Sequence, residues 1–108
     1  MYSEAFIKFV DLLKVLGYKK IDELPEKKII IKLNDIWSVG ISADGQSELT
    51  TEDGMAVNTP EPGIIYVWRN NWVAGMIAAN GGSIYAEGED ELIKALEDKI
   101  EKVKDKNQ

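Results

Sequence analysis

The chain has no cysteine and no histidine. Without thiols there is no disulfide, no thiolate nucleophile and no zinc site built on cysteine. Without imidazole there is no histidine-based triad and no general base that titrates near neutral pH. Chemistry would have to come from carboxylates, lysines, tyrosines or hydroxyls. Any metal would have to be a hard, oxygen-ligated ion, and no loop has calcium-site spacing, so no cofactor or metal is expected. Basic residues are also in deficit: 13 Lys and Arg face 19 Asp and Glu, a formal charge of −6. That balance argues against nucleic-acid binding, which relies on clustered cations. No run is long and apolar enough to span a membrane, and no secretory leader is visible at the N-terminus. A cytoplasmic, soluble protein is the expectation.

What is present is ordinary globular material: 108 residues, 44% hydrophobic and 30% charged, enough for one domain with one core. Residues 3–16 read as a helix. Ser3 is the N-cap, Tyr2 meets Ile7 as a hydrophobic staple, and Gly17 is the stop. Phe6, Phe9, Val10, Leu13 and Leu16 recur at three- and four-residue steps and form its apolar stripe. A turn-like "DELPEK" leads into a first β ribbon over 28–51. There "KKIIIKL" and "IWSVGIS" flank a two-residue Asn34-Asp35 link, and "ADGQ" turns into a polar edge strand, "QSELT". "TEDGMAVNTPEPG" reads as a loop or crossover.

A second ribbon covers 64–87. Its strands, "IIYVWR", "WVAGMIAA" and "GSIYA", are separated by Asn70-Asn71 and Asn80-Gly81, giving a meander. "ANGGS" lies between two strands and lacks the spacing of a phosphate-binding loop. The last helix spans 89–104, with Leu92, Ile93, Leu96, Ile100 and Val103 as its stripe and a frayed tail at 105–108. Acidic residues in its first turn and lysines in its last complement the helix dipole. The expected fold class is α+β: an N-terminal helix, an antiparallel sheet of five to six strands as two meanders, and a C-terminal helix. An offset of about 35 residues also lays Ile29 and Ile30 on Ile64 and Ile65, and Trp37 on Trp72. A duplicated meander is therefore an open possibility.

Two-residue turns fix the expected pairing. Centred on Asn70-Asn71, Arg69 faces Trp72, Trp68 faces Val73, Val67 faces Ala74 and Tyr66 faces Gly75. Centred on Asn80-Gly81, Met76 faces Tyr85 and Ile77 faces Ile84. Alternation then puts Ile64, Tyr66, Trp68, Val73, Ile77 and Ile84 on one side. Ile65, Val67, Arg69, Trp72, Ala74, Met76 and Tyr85 take the other, and both sides are apolar. An antiparallel sheet normally wets one face. Something must cover the second: the first ribbon, a second subunit, a ligand or a partner.

The segment "NWVAGMIAANGGSIYAEGEDELIKAL", Asn71 to Leu96, resembles the C-terminal part of small phage- and plasmid-encoded proteins of uncharacterised activity. Those carry an N-G-W-x-A-G-x-I core, a G-G turn and an acidic start to a terminal helix. This chain departs from the pattern at Asn70-Asn71-Trp72, where a glycine would precede the tryptophan. The resemblance implies a mobile-element origin and a compact β-then-α end, and it supplies no catalytic residues.

The function expected is a non-enzymatic protein-interaction module, acting on a protein partner or self-associating as a homodimer, in the manner of a regulator or inhibitor. The expected contact residues are Trp37, Arg69, Asn70, Asn71, Trp72, Met76 and Tyr85, since arginine and exposed aromatics anchor interfaces. Two alternatives stay open. One is a small-molecule binder that stacks a nucleotide-like or aromatic ligand on Trp37 or Trp72. The other is an enzyme using Asp44, Glu52 and Asp53.

Overall fold

The computed structural model describes residues 4–45, 49–50, 56–57, 62–70, 77–78 and 89–106. It is an α+β fold in which helices at either end of the chain flank an antiparallel sheet. Helix α1 spans Glu4–Val15 and α2 spans Glu89–Lys106. The strands are β1 (Lys28–Lys32), β2 (Trp37–Ser42), β3 (Leu49–Thr50), β4 (Ala56–Val57), β5 (Ile65–Arg69) and β6 (Ile77–Ala78).

Helix α1 buries Ala5, Phe9, Leu12 and Leu13, so its stripe is rotated from the expected one: Leu16 and Ile7 are exposed. Tyr2 and Ser3 lie outside the described residues. The helix stops as Gly17 requires. With φ at 105°, the glycine lets its own N–H donate to Lys14 O and the Tyr18 N–H donate to Leu13 O, which satisfies two terminal carbonyls. "DELPEK" forms two short 3-10 turns, Ile21–Glu23 and Pro25–Lys27, with Glu26 and Lys27 both at positive φ. Helix α2 buries or half-buries its whole expected stripe, and it continues through Lys106, two residues into the tail expected to fray, the last two lying outside the described residues. The two helices pack together, with Lys8 Nζ lying 3.6 Å from Glu97 Oε2. That pair is partly solvated and contributes about 0–1 kcal/mol.

The main sheet has the order β1-β2-β5-β6, every neighbour antiparallel. Its central pairing, β2 with β5, joins the two ribbons at Trp37↔Arg69, Val39↔Val67 and Ile41↔Ile65. Two expectations about the ribbons are corrected. The first ribbon is not a three-stranded meander: β3 leaves the sheet and pairs with β4, inside the stretch read as loop. The second pairs β5 with β6 at Tyr66↔Ala78 and Val67↔Ile77. That is three residues out of step with a tight Asn70-Asn71 turn, so Ile77 shares a register position with Val67 and not with Tyr66. Expected partners Trp72, Val73, Ala74 and Gly75 lie outside the described residues. The duplication is not carried by the fold either. Ile31 sits on the helix-facing side, whereas Tyr66, its counterpart at an offset of 35, sits on the opposite side.

Both faces of the sheet are apolar, and the chain covers both at its centre. Ile31, Trp37, Val39, Ile41, Ile65 and Val67 join the two helices in the main core. On the other side Tyr66 and Trp68 form a second cluster with Leu49, supported by Ile30 and Ile64. Among the described residues, Leu49 of the dipeptide strand β3 is fully buried against these two aromatics. Gly40 makes this possible. A Cβ there would come within 2.9 Å of Leu49 Cδ1, 3.1 Å of Trp68 Cη2 and 3.2 Å of the Ile29 carbonyl oxygen. The indole lies where a side chain would otherwise be, an aromatic over a strand glycine.

Gly40→Ala should therefore destabilise the fold by about 1–3 kcal/mol, because the ring, the leucine and a backbone oxygen cannot all yield. Urea unfolding of Gly40→Ala, Leu49→Ala and the double variant checks this. The two costs should be less than additive, since removing Leu49 vacates the tightest contact.

Candidate functional site

At the end of the sheet where β1 turns into β2 and β5 ends, short-range hydrogen bonds build a fixed scaffold. Leu33 and Trp37 are the last paired residues of the hairpin, with Leu33 N–H donating to Trp37 O at 2.9 Å. The link therefore has three residues, Asn34, Asp35 and Ile36, one more than the Asn-Asp turn expected. The reason is side-chain chemistry. Asn34 Oδ1 accepts the Ile36 and Trp37 N–H groups, each at 2.8 Å, so an Asx turn closes the loop in place of a tight backbone turn.

Asn70 ties the neighbouring strand to that loop. Its N–H donates to Ile36 O at 2.8 Å, its Nδ2 donates to Asn34 O at 2.8 Å, and its Oδ1 accepts from the Ser38 hydroxyl. Both ends of the Asn70 amide are engaged, and Ser38 is a buried hydroxyl that needs an acceptor. Asn70 is accordingly a structural bracket between β2 and β5.

Above this scaffold the helix-facing side carries Trp37 and, directly across the ladder, Arg69. Trp37 is 2% exposed and belongs to the main core. Arg69 is exposed, and its guanidinium carbon lies 4.8 Å from the centroid of the indole ring. This is a cation–π stack on an immobilised aromatic, worth about 0.5–2 kcal/mol depending on how far the cation is desolvated. Arg69 is the only arginine in a chain with 12 lysines. A guanidinium stacks flat on a ring and keeps its edge N–H groups free, which an ammonium cannot do. No hydrogen bond or ion pair occupies those groups among the described residues. The Trp37 Nε1–H is buried and also has no acceptor among them.

Three of the sequence-predicted residues, Trp37, Arg69 and Asn70, are brought together here. Asn71, Trp72, Met76 and Tyr85 lie outside the described residues. Of the carboxylates considered for catalysis, Asp44 is exposed and accepts a hydrogen bond from Ser42 Oγ at 3.2 Å, while Glu52 and Asp53 lie outside the described residues. Sequence reasoning missed Ile36. It is 50% exposed at the tip of the hairpin, beside exposed Asp35. The signal was available: an isoleucine within a polar link has no strand face to occupy.

Among the described residues no group of three or more acidic side chains could hold a metal ion, and no helix is long and apolar enough to cross a membrane. Comparison of the chain with protein-family models, curated proteins and solved structures gives no match in any of the three.

Asn70→Ala should cost about 1–3 kcal/mol in urea unfolding, because it strands the buried Ser38 hydroxyl and frees the hairpin tip. Trp37 separates two effects. Trp37→Ala should cost about 3–5 kcal/mol through the cavity it leaves. Trp37→Phe keeps a ring under Arg69 and removes a donor that has no described acceptor, so its cost should stay below about 2 kcal/mol.

Proposed function

We propose that the chain is a non-enzymatic protein-interaction module whose contact surface is this end of the sheet, centred on Ile36 and Arg69. The observation that carries the reading is the free edge of the only arginine, stacked on a buried tryptophan. Arginine and aromatic residues dominate interface energetics when they are well packed and central. Stacking fixes the guanidinium before any partner arrives, so less side-chain entropy is lost on contact. Ile36 adds an exposed apolar group, held in place by the Asn34 and Asn70 hydrogen bonds. Asn71 and Trp72 continue the chain directly from Asn70, so the expected contact residues adjoin this surface in sequence.

The resemblance of residues 71–96 to mobile-element proteins makes a regulator or inhibitor of another protein the natural version of this module. The absence of imidazole and thiol chemistry from the sequence supports a binding role over a catalytic one, and a chain without cysteine suits a cytoplasmic setting.

The reading is tested by cross-linking the tagged protein in cell extract and comparing it with Ile36→Asp and Arg69→Ala. Proteins that contact this surface should be retained by the unaltered chain and reduced about tenfold by either substitution, each expected to cost more than about 1 kcal/mol of binding. Thermal unfolding should change by only a few degrees, because both side chains are exposed. Retention of every partner by both folded variants would remove the proposal.

A further inference from the structure

Strand β1 is an outer strand of the main sheet: β2 pairs with one of its edges, and no described strand pairs with the other. The hydrogen bonds that bracket β1 show which residues face that second edge. Leu33 N–H donates to Trp37 O at one end, and Ala43 N–H donates to Lys27 O at the other. Bonded positions recur every second residue in an antiparallel ladder, so Ile29 and Ile31 direct their backbone groups at β2. Lys28, Ile30 and Lys32 direct theirs away from it. The Lys28 N–H donates to Pro25 O. The N–H and C=O groups of Ile30 and Lys32 have no partner among the described residues.

Donors and acceptors alternating in one line at strand spacing fit an extended polypeptide, which adds itself as a further strand. The side chains narrow the choice. Ile30 packs against the cluster of Leu49, Tyr66 and Trp68, so alternation places Lys28 and Lys32 on that same side of the sheet. Lys32 is exposed and has no ion pair among the described residues. The strand reads Lys-Ile-Ile-Ile-Lys in either direction. Antiparallel pairing of all five residues with a second copy would set Lys28 against Lys32 twice, and like charges directly opposite repel. Lysines on an edge strand keep copies of the same edge apart in this way.

A strand with carboxylates at the facing positions meets attraction instead. We infer that the open edge of β1 receives an extended acidic segment of a partner protein, running antiparallel to it. An Asp or Glu of that segment stands opposite Lys32, and an apolar residue stands opposite Ile30. The net charge of −6 opposes an acidic ligand at long range. At about 0.15 M salt the screening length is about 8 Å, so the facing pair decides. Neither Ile36 nor Arg69 takes part. Ile36→Asp and Arg69→Ala should leave this binding unchanged, and the two surfaces stand or fall separately.

The probe is the peptide acetyl-Thr-Glu-Val-Val-Val-Glu-Thr-amide, titrated into the full chain labelled with nitrogen-15. The amide resonances of Ile30 and Lys32 should shift saturably, with a Kd of about 1 mM or tighter. Replacing both peptide glutamates by lysine should weaken binding about tenfold or more. Methylating the nitrogen of the central valine, which faces Ile30, should do the same by removing a donor. Lys32→Glu should weaken binding about tenfold, and Lys32→Pro should abolish it. Proline removes only an N–H that points away from β2, a position an edge strand tolerates. Retained hydrogen-exchange protection at Ile29 and Ile31 verifies that β1 stays paired with β2 in both variants.

No shift at Ile30 and Lys32 up to about 10 mM peptide would overturn the inference. So would equal binding of the lysine peptide, or normal binding by Lys32→Pro. Protection of those two amides that rises with protein concentration alone would make the occupant a second copy and overturn the acidic partner.

Discussion

Strands β2 and β5 lie side by side at the centre of the sheet and carry large apolar groups on both sides. Trp37, Val39, Ile65 and Val67 point one way; Tyr66 and Trp68 point the other. Each buried aromatic contributes roughly 2–3 kcal/mol relative to exposure, so neither side can be left to water. The remaining architecture answers to that constraint. Two helices, one from each end of the chain, supply the cover on one side. On the other side, among the described residues, Leu49 from the segment between β2 and β5 packs against Tyr66 and Trp68. Gly40 lets Leu49 and Trp68 sit close to the strand there.

The same constraint explains where exposed chemistry can lie. Cover is complete at the centre of the sheet and gives out at the hairpin end, where the core tryptophan is capped by a charged side chain. Arg69 suits that boundary because its guanidinium has an apolar face for the indole and polar edges for whatever lies outside. The polar bracket of Asn34, Ser38 and Asn70 has a different task. It satisfies backbone and hydroxyl groups where the ladder stops, and in doing so it fixes the heights of Ile36 and Arg69 relative to one another. A surface whose backbone is held by internal hydrogen bonds differs from a mobile loop tip, which would lose more entropy on being ordered.

Much of the layout was legible in the residue pattern. The 3.6-residue recurrence in α2, the glycine stop of α1, and the two-residue alternation through "IWSVGIS" and "IYVWR" each have one local cause, and each element formed. The grouping of Tyr66 with Trp68, and of Ile65 with Val67 and Arg69, follows from alternation alone. Pairing was less legible. The Asn-Asp link became a three-residue turn because Asn34 used its side chain, and β5 paired with β6 further along than a tight turn dictates. Register depends on which turn forms, and several turns fit "NDI" and "RNNW" equally well. The candidate site was half visible. The residue pattern marks Trp37, Arg69 and Asn70 as contact residues, yet Trp37 is core and Asn70 a structural bracket, while exposed Ile36 carries no such mark.

The sequence by itself determined that this is an α+β chain, with a helix at each end and antiparallel strands between, and that its sheet would be apolar on both faces. Those properties follow from periodicity and turn residues, which act over a few positions. Only the tertiary structure decided that β2 lies beside β5, that Leu49 crosses over to shield Trp68, and that the single arginine comes to rest on Trp37. Each of these joins residues roughly twenty to thirty positions apart, and no local preference specifies such a contact. It is selected by which arrangement leaves the least apolar surface in water.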